Sequence, residues 1–327
     1  MNLAILGATG AVGCTMLRVL SERGVAVDQL TLLASPRSSG RRVSWEGRDW
    51  TISAPAPGCF QGVDFALFSA GADRSREWAP RAVAEGAVVV DNSSAWRMDP
   101  EVPLVVPEVN AAAASSRPKG IVANPNCSTI QMVLPLQAMH AAAGLRRVVV
   151  TTFQSVSGAG ETGLAALRSE RTEGAANEAS PFSRMIDGNV VPQIGDFDAD
   201  GWTGEERKMR GEARKILDLP RLALTATCVR VPVEVGHSLQ LTVETERELP
   251  REAAAAALEG FPGIVLSRGA DDYPTPREFA GRDEVHVGRL RSDPDCPRTL
   301  HLWVVADNLR KGAATNAVQI LEGLSGA

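Results

Sequence analysis

Cys127 is the residue with the clearest chemical potential. It lies in the run Ala123-Asn124-Pro125-Asn126-Cys127-Ser128-Thr129-Ile130. A polar, turn-forming segment here delivers one thiol to the start of an apolar helical stretch, Ile130 to Ala143. A helix start presents free N–H groups and a partial positive charge. That environment favours thiolate over thiol, and the thiolate is the nucleophile. On position alone the opposing reading stays open: a free cysteine is usually a small buried hydrophobe. Cys14 and Cys228 sit in apolar segments and read as core thiols. Cys59 and Cys296 sit in turn-rich sequence with no partner base.

A nucleophile needs a proton partner and a substrate clamp. His237, in Arg230-Val231-Pro232-Val233-Glu234-Val235-Gly236-His237-Ser238, falls between two expected strands. A histidine there suits acid/base work near neutral pH, or is a surface turn residue. Arg230 ends an apolar strand, where a charge needs a partner: a ligand carboxylate or a structural ion pair. Thr203-Gly204-Glu205-Glu206-Arg207-Lys208 opens a helix, with Thr203 and Glu206 in a capping-box pattern. Glu205 and Lys208 share one helical face and read by default as a surface ion pair.

Gly7-Ala8-Thr9-Gly10-Ala11-Val12-Gly13 follows the first expected strand and opens the first helix. Glycine permits the tight turn and lets backbone N–H groups approach a pyrophosphate, so this variant fingerprint suggests a dinucleotide site. An NAD site usually places an acid after the second strand, for the ribose 2′-hydroxyl. This chain has Ser35-Pro36-Arg37-Ser38-Ser39-Gly40-Arg41-Arg42 instead. Hydroxyls and guanidinium groups suit a 2′-phosphate, so NADP is the expected cofactor. The alternative is a solvated basic loop.

These groups need elements to position them. Residues 1–125 alternate short apolar strands (Leu3–Leu6, Leu30–Ala34, Phe65–Ser69, Val88–Val90, Ile121–Ala123) with helical stretches such as Ala11–Glu22 and Ser75–Ala84. That rhythm predicts an α/β domain with a parallel sheet. From Arg146 the strands lengthen and alternate apolar with polar, as in Ser238–Glu244. Arg146–Gln154, Leu222–Val231, Glu284–Leu290 and Leu300–Ala306 read alike. Half-buried antiparallel sheets have that pattern, so the second domain is expected to be α+β. Asn308–Leu324 reads as helix, and the polar region Arg168 to Gly201 as a lid or a surface excursion.

Bulk properties exclude several classes. The 327 residues suffice for two domains. With 34 basic and 39 acidic residues, net −5, the chain lacks the basic surplus of a nucleic-acid binder. No apolar run approaches a membrane span, and the amino terminus reads as a strand rather than a signal peptide. Five dispersed cysteines and four scattered histidines suggest no disulfide framework and no metal cluster. A reduced, cytoplasmic setting is expected.

Together these residues resemble the aspartate-β-semialdehyde dehydrogenase family. The matching motifs are Gly7–Gly13, Asp91-Asn92-Ser93-Ser94-Ala95-Trp96-Arg97, Asn124–Cys127, Gln154-Ser155-Val156-Ser157-Gly158-Ala159-Gly160, Glu205–Lys208, Arg230–His237 and Asp307-Asn308-Leu309-Arg310-Lys311-Gly312-Ala313-Ala314. They run in the family's order over essentially the whole chain. The resemblance implies a Rossmann-type dinucleotide-binding domain, about 1–127 with 308–327, and a catalytic and dimerisation domain over 128–307. It implies NADPH-dependent reductive dephosphorylation of L-aspartyl-4-phosphate to aspartate semialdehyde and inorganic phosphate, by a homodimer. The thiolate of Cys127 would form a thioester, and His237 would handle the proton as acid and base. Gln154 would orient the acyl intermediate, and Asn126 would stand beside the nucleophile. Arg230 would hold the substrate carboxylate and Glu205 its ammonium group. Arg97 and Lys208 would form the phosphate site. Gly7, Thr9, Gly10, Ala11, Val12, Gly13, Ser35, Arg37, Ser38, Ser157, Gly158 and Asn308 would contact the cofactor. Two rivals share the fold: N-acetyl-γ-glutamyl-phosphate reductase, whose substrate lacks a free amine, and a non-catalytic binding paralogue. The Glu205 motif disfavours the first, and retention of Cys127, Gln154 and His237 disfavours the second.

Overall fold

A computed structural model describes residues 1–176 and 178–326. The chain forms two compact units, Met1–Asn126 with Ala313–Ala327, and Cys127–Gly312.

The first unit is built on one sheet. Its strands are β1 (Asn2–Leu6), β2 (Gln29–Leu33), β3 (Arg42–Trp45), β4 (Arg48–Ser53), β5 (Phe65–Phe68), β6 (Val88–Asp91) and β7 (Ile121–Ala123). They lie in the order β3-β4-β2-β1-β5-β6-β7. All neighbours are parallel except β3 and β4. The parallel strands alone, taken in chain order, run third, second, first, fourth, fifth, sixth, which is the doubly wound dinucleotide-binding order. Helix α1 (Ala11–Glu22) connects β1 to β2, and α2 (Ala72–Ala84) connects β5 to β6. The short α3 (Pro107–Asn110) precedes β7, and the C-terminal helix Thr315–Ser325 returns to this unit. Its Val318 and Leu321 join Leu3, Ile5, Leu20 and Leu32 in the core. Asn316 Nδ2 donates to Val105 O at 2.9 Å and to Asn124 Oδ1 at 2.6 Å, so the strap before Cys127 is tied to that helix.

The hairpin β3–β4 was absent from the strands expected from the sequence. Most of its side chains are polar and exposed, so apolar alternation does not announce it. Its two-residue turn places Glu46 at φ 50° and Gly47 at φ 69°. Both are left-handed, as a twist-matched hairpin turn requires.

The second unit begins with α4 (Cys127–Ala143), followed by β8 (Leu145–Gln154), α5 (Glu161–Glu173), α6 (Gly204–Ile216), β9 (Ala223–Arg230), β10 (His237–Thr245), α7 (Arg251–Glu259), β11 (Ile264–Leu266), α8 (Pro276–Phe279), β12 (Val285–Ser292) and β13 (Thr299–Ala306). The six strands lie in the order β11-β12-β13-β10-β8-β9. The four-strand centre β12-β13-β10-β8 is antiparallel, while β8–β9 and β11–β12 are parallel. Val148, Val150, Leu239, Leu241, Leu302 and Val304 form the covered face. Helix α4 is buried on almost every side, through Ile130, Met132, Val133, Leu134, Leu136 and Met139. A helix apolar all round belongs inside a core, and here that fixes the end carrying Cys127. The opposite sheet face, with Val149, Thr151, Phe153, Gln240, His301 and Trp303, stays half-exposed in the single chain.

The polar region after Arg168 is anchored. Glu170 Oε2 accepts from Ile186 N at 2.7 Å and Asp187 N at 3.0 Å. Val156, Leu164, Leu167, Ile186 and Val191 form a small apolar cluster with Phe182 against it. Val191 also exchanges backbone hydrogen bonds with Arg230, at 2.8 and 2.9 Å. The expected helix over Asn308–Leu324 begins later: a single π turn covers Arg310–Ala314 and α-helix starts at Thr315. Among the described residues no helix is long and apolar enough to cross a membrane.

Glu170 is the test of this anchoring. Glu170→Ala leaves two backbone donors without their acceptor, at a cost of about 1–3 kcal/mol locally. Amide exchange at Ile186 and Asp187 should accelerate by one to two orders of magnitude, about what that energy corresponds to. Unchanged protection there would show that the loop is held by the apolar cluster alone.

Candidate active site

Four chain ends converge in the second unit. Cys127 is the first residue of α4, Gln154 the last of β8, Arg230 the last of β9 and His237 the first of β10. Strand pairing sets their spacing, because Gln154 is in register with Arg230. Cys127 Sγ and His237 Nε2 lie 3.3 Å apart. Cys127 is half-buried and His237 is fully buried. Burial first, and the Arg230 charge second, push the His237 ring well below the usual imidazole range. A neutral imidazole therefore faces the sulfur at neutral pH.

The charged groups are more constrained than their sequence suggests. Arg230 is buried, and its Nη1 donates to Ser155 O at 2.6 Å. Its guanidinium carbon lies 5.6 Å from the Phe182 ring centroid. Burial lowers its pKa, and the Glu205 charge works against that. Glu205, read from sequence as one half of a surface ion pair, is buried. Its Oε1 accepts from Gln154 Nε2 at 3.1 Å, and its Oε2 lies 3.5 Å from Lys208 Nζ. Lys208 keeps 42% of its side chain exposed, so the pair is buried only on the acid's side. Thr203 and Glu206 form the expected capping box, and Glu206 Oε1 also accepts from Cys228 N at 3.0 Å.

Two glycines act by having no side chain. A Cβ on Gly158 would sit 2.7 Å from Arg230 Nη1 and 3.3 Å from His237 Cε1. A Cβ on Gly312 would sit 3.0 Å from Cys127 Cβ. Asn308 is buried, with Oδ1 accepting from Gly236 N at 2.8 Å and Ser155 Oγ at 3.0 Å. Its Nδ2 donates to Ser157 Oγ at 3.0 Å. Ser155, which sequence reading passed over, touches both Asn308 and His237. An uncharged serine inside a glycine-rich turn gives no composition signal.

The other cysteines separate from Cys127. Cys228 is buried, and its thiol is pushed upward by burial first and by the Glu205 charge next. Cys59 is also raised, mainly by burial. Cys14 is exposed, which corrects its reading as a core thiol. The buried face of α1 carries Met16, Leu17, Val19 and Leu20, and Cys14 falls outside that stripe.

In the first unit the glycine loop fits a phosphate-binding cradle. Gly7 has φ +96°, and a Cβ there would lie 2.3 Å from Ser69 O. On Gly13 a Cβ would lie 2.2 Å from Gly7 O. Only glycine permits these approaches. Gly10 caps α1 without a side-chain hydrogen bond, and the first turn, starting Ala11-Val12, contains no acid. Thr9 precedes that cap, and the helix start is thus suited to an anion. Ser35 and Ser38 are half-buried and Arg37 is exposed, in a 3₁₀ turn just past β2. Arg97 is buried, with Nε donating to Asn124 O at 3.0 Å and Nη2 to Asn92 O at 2.8 Å. Asn126, also buried, ends this unit. Among the described residues no group of three or more His, Cys, Asp or Glu is placed to hold a metal ion.

Comparison with known proteins agrees with this division. The family model "Semialdehyde dehydrogenase, NAD binding domain" matches residues 2–117. "Semialdehyde dehydrogenase, dimerisation domain" matches residues 136–311. Aspartate-semialdehyde dehydrogenase of Aquifex aeolicus is 49% identical, over 98% of this chain and 97% of its own. That of Bacillus subtilis is 45% identical, over 99% and 97%. The chain belongs to the aspartate-semialdehyde dehydrogenase family. A crystal structure of aspartate semialdehyde dehydrogenase II from Vibrio cholerae, complexed with ASA, superposes with a TM-score of 0.96 at 48% identity, covering 99% of this chain and 98% of that one. Membership of this family implies a nicotinamide dinucleotide cofactor, a fit that the Gly7–Gly13 cradle supports.

Cys127→Ser should retain the fold and lose turnover by three or more orders of magnitude, since a hydroxyl is a far weaker nucleophile. Cys14→Ser, which removes the exposed thiol of α1, should leave kcat within about twofold. Steady-state kinetics on both variants decide this. Substantial turnover in Cys127→Ser would sink covalent catalysis.

Proposed function

We propose that this chain catalyses the NADPH-dependent reductive dephosphorylation of L-aspartyl-4-phosphate to L-aspartate 4-semialdehyde, through a thioester on Cys127. The observation that carries this is the 3.3 Å approach of Cys127 Sγ to His237 Nε2, in a chain of this family. The sulfur attacks the acyl carbon, the carbon–sulfur bond forms, and phosphate leaves with the electron pair of the broken carbon–oxygen bond. A thioester accepts hydride far more readily than a carboxylate, which is what the covalent step achieves. The dinucleotide, when bound, supplies that hydride. Sulfur then departs, the aldehyde is released and the nucleophile is restored. His237 serves the sulfur and the oxygen of the tetrahedral species.

The remaining roles follow from charge. An α-amino acid head group needs one acid and one base around its α-carbon. Arg230 meets the carboxylate and Glu205 the ammonium group, while Gln154, bonded to Glu205, orients the acyl carbon. Arg97 and Lys208 receive the departing phosphate, since cations suit its developing charge. Asn126 fixes the approach to the nucleophile. Gly7, Thr9, Gly10, Ala11, Val12 and Gly13 would hold the pyrophosphate, with Ser157, Gly158 and Asn308 toward the nicotinamide end. Ser35, Arg37 and Ser38 would hold a 2′-phosphate, which makes NADP the cofactor. The half-exposed sheet face with Phe153 and Trp303, whose rings lie 5.5 Å apart, supports a homodimer through the second unit. A cytoplasmic setting goes with this reading, in which all five cysteines are free.

Phosphate-dependent oxidation of aspartate semialdehyde, followed by NADPH absorbance, tests the reaction directly. Glu205→Gln removes the charge facing the ammonium group. Breaking such a pair costs about 3–5 kcal/mol when it is fully buried. The Michaelis constant for aspartate semialdehyde should rise at least tenfold, and that for phosphate much less. Lys208→Ala or Arg97→Ala should reverse the pattern. N-acetylglutamyl semialdehyde should be a poor substrate, because its nitrogen carries no charge, and finding it the better one would overturn the substrate.

Arg37→Ala should weaken NADPH binding by roughly tenfold, the value of one charge-assisted contact, with little change for NADH. Equal efficiency of the wild type with both cofactors would remove the 2′-phosphate site. His237→Asn should depress kcat more than it raises either Michaelis constant. The opposite split would make His237 a binding residue.

A further inference from the structure

We propose that Asp307 is a positioning residue for the Cys127–His237 pair, its carboxylate clamping the turn that carries Asn308 and Gly312. This rests on the Cys127 chemistry above and goes a step further, by naming what holds the two reacting side chains in place. Asp307 lies one residue beyond β13 and is buried.

The carboxylate accepts from backbone amides on two sides. Asp307 Oδ1 accepts from Leu309 N at 2.8 Å and from Arg310 N at 3.0 Å. Those bonds close the turn that follows it, as an aspartate side chain can. Asp307 O accepts from Gly312 N at 3.0 Å, which closes the turn a second time. On its other side Asp307 Oδ2 accepts from Gly281 N at 2.7 Å, just after α8. The segment around α8 is itself pinned. Trp303 Nε1 donates to Pro274 O at 3.0 Å, and Arg310 Nε donates to Asp283 Oδ1 at 2.8 Å. An asparagine or a serine could close the turn alone, whereas a carboxylate has an accepting oxygen for each side. A buried carboxylate needs such partners, and once it has them its place is narrowly fixed.

The clamped turn reaches both members of the pair. Ala306 is in register with His237, so Asp307 and Gly236 stand opposite each other just beyond them. Asn308 Oδ1 accepts from Gly236 N at 2.8 Å and from Ser155 Oγ at 3.0 Å. Gly236 precedes His237 in the chain, and Ser155 Oγ lies 3.0 Å from His237 Nδ1. Asn308 thus braces the histidine through its backbone and through its ring. Gly236 has φ +95°, and a Cβ there would lie 2.9 Å from Pro276 Cβ, so α8 backs the same residue. At the other end of the turn, a Cβ on Gly312 would sit 3.0 Å from Cys127 Cβ. One carboxylate therefore spans the supports of the sulfur and of the imidazole. Releasing it leaves both residues in the fold but loosens a separation to which the rate of a covalent step is steeply sensitive.

The test reads the supports and the turnover separately, on the full chain. In Asp307→Ala, amide exchange at Gly236 and Gly312, measured with no added ligand, should accelerate about tenfold or more. With aspartate semialdehyde and phosphate, kcat should fall about tenfold or more while both Michaelis constants stay within about twofold. Asp307→Asn keeps one oxygen for the Leu309 and Arg310 amides and loses the acceptor for Gly281 N. Its exchange should accelerate at Gly281 and stay near wild type at Gly236, with kcat recovered to within about threefold of wild type. Unchanged exchange at Gly236 and Gly312 in Asp307→Ala overturns the proposal. So does an unchanged kcat beside a lowered melting temperature, which is what a merely stabilising turn would give. If Asp307→Ala fails to fold, Asp307→Asn decides alone: acceleration at Gly236 equal to that at Gly281, or a kcat about tenfold down, overturns the proposal. A wild type inactive in the phosphate-dependent assay would retire the proposed reaction, while the exchange data would still decide the clamp. An active wild type without the exchange differences would do the reverse.

Discussion

A sulfur held 3.3 Å from an imidazole nitrogen is the constraint on which the second unit turns. Neither residue can be placed by local sequence, since 110 positions separate them. Cys127 is fixed because α4 is buried nearly all round and cannot rotate without exposing Ile130, Val133 or Leu136. His237 is fixed because β10 is paired on both sides, with β8 and β13. A slip of one residue in either register would turn His237 to the opposite face. The core packing of this unit and the geometry of the thiol are therefore one problem. Gly312 shows it at close range: a methyl group there would press on the Cys127 β-carbon.

Burial decides the charges. His237 and Arg230 are close enough that both cannot easily be cationic, and low dielectric sharpens the conflict. The guanidinium has the higher intrinsic affinity for its proton, so the imidazole gives way. Glu205 belongs to the same balance. Its charge helps hold the Arg230 proton, and its carboxylate is oriented by Gln154 and approached by Lys208.

Much of this was legible in the chain. The alternation of strand and helix up to Ile121–Ala123 gave the parallel sheet, and polar–apolar alternation in β8, β10 and β13 gave the half-covered one. The hairpin β3–β4 was not legible, because its order comes from a left-handed turn at Glu46 and Gly47 and not from apolar periodicity. Cys14 was misplaced because an apolar stretch was read without its helical phase. Glu205 is named through resemblance to a family, but its spacing alone reads as a surface ion pair, and its burial depends on tertiary packing of α6. The pairing of Cys127 with His237 came from resemblance to a family, since no spacing rule links two residues on a helix start and a strand start. Ser155 stands inside the Gln154–Gly160 motif but has no role assigned from sequence, because its contacts with His237 and Asn308 arise only in the fold.

Arg230 shows how far the site is from a stability optimum. It is buried, forms no ion pair among the described residues, and its Nε has no hydrogen-bond partner. A charge so placed costs free energy that Ser155 O and the Phe182 ring return only in part. A protein selected for stability alone would put an apolar side chain at the end of β9. Retaining the guanidinium is intelligible if a carboxylate completes it during turnover, so that ligand binding supplies the missing partner. The same logic accounts for Gly158, whose absent side chain keeps the approach to Arg230 and His237 open. The free chain thus carries a buried guanidinium whose Nε is unsatisfied, in a place that the absent side chain of Gly158 keeps open.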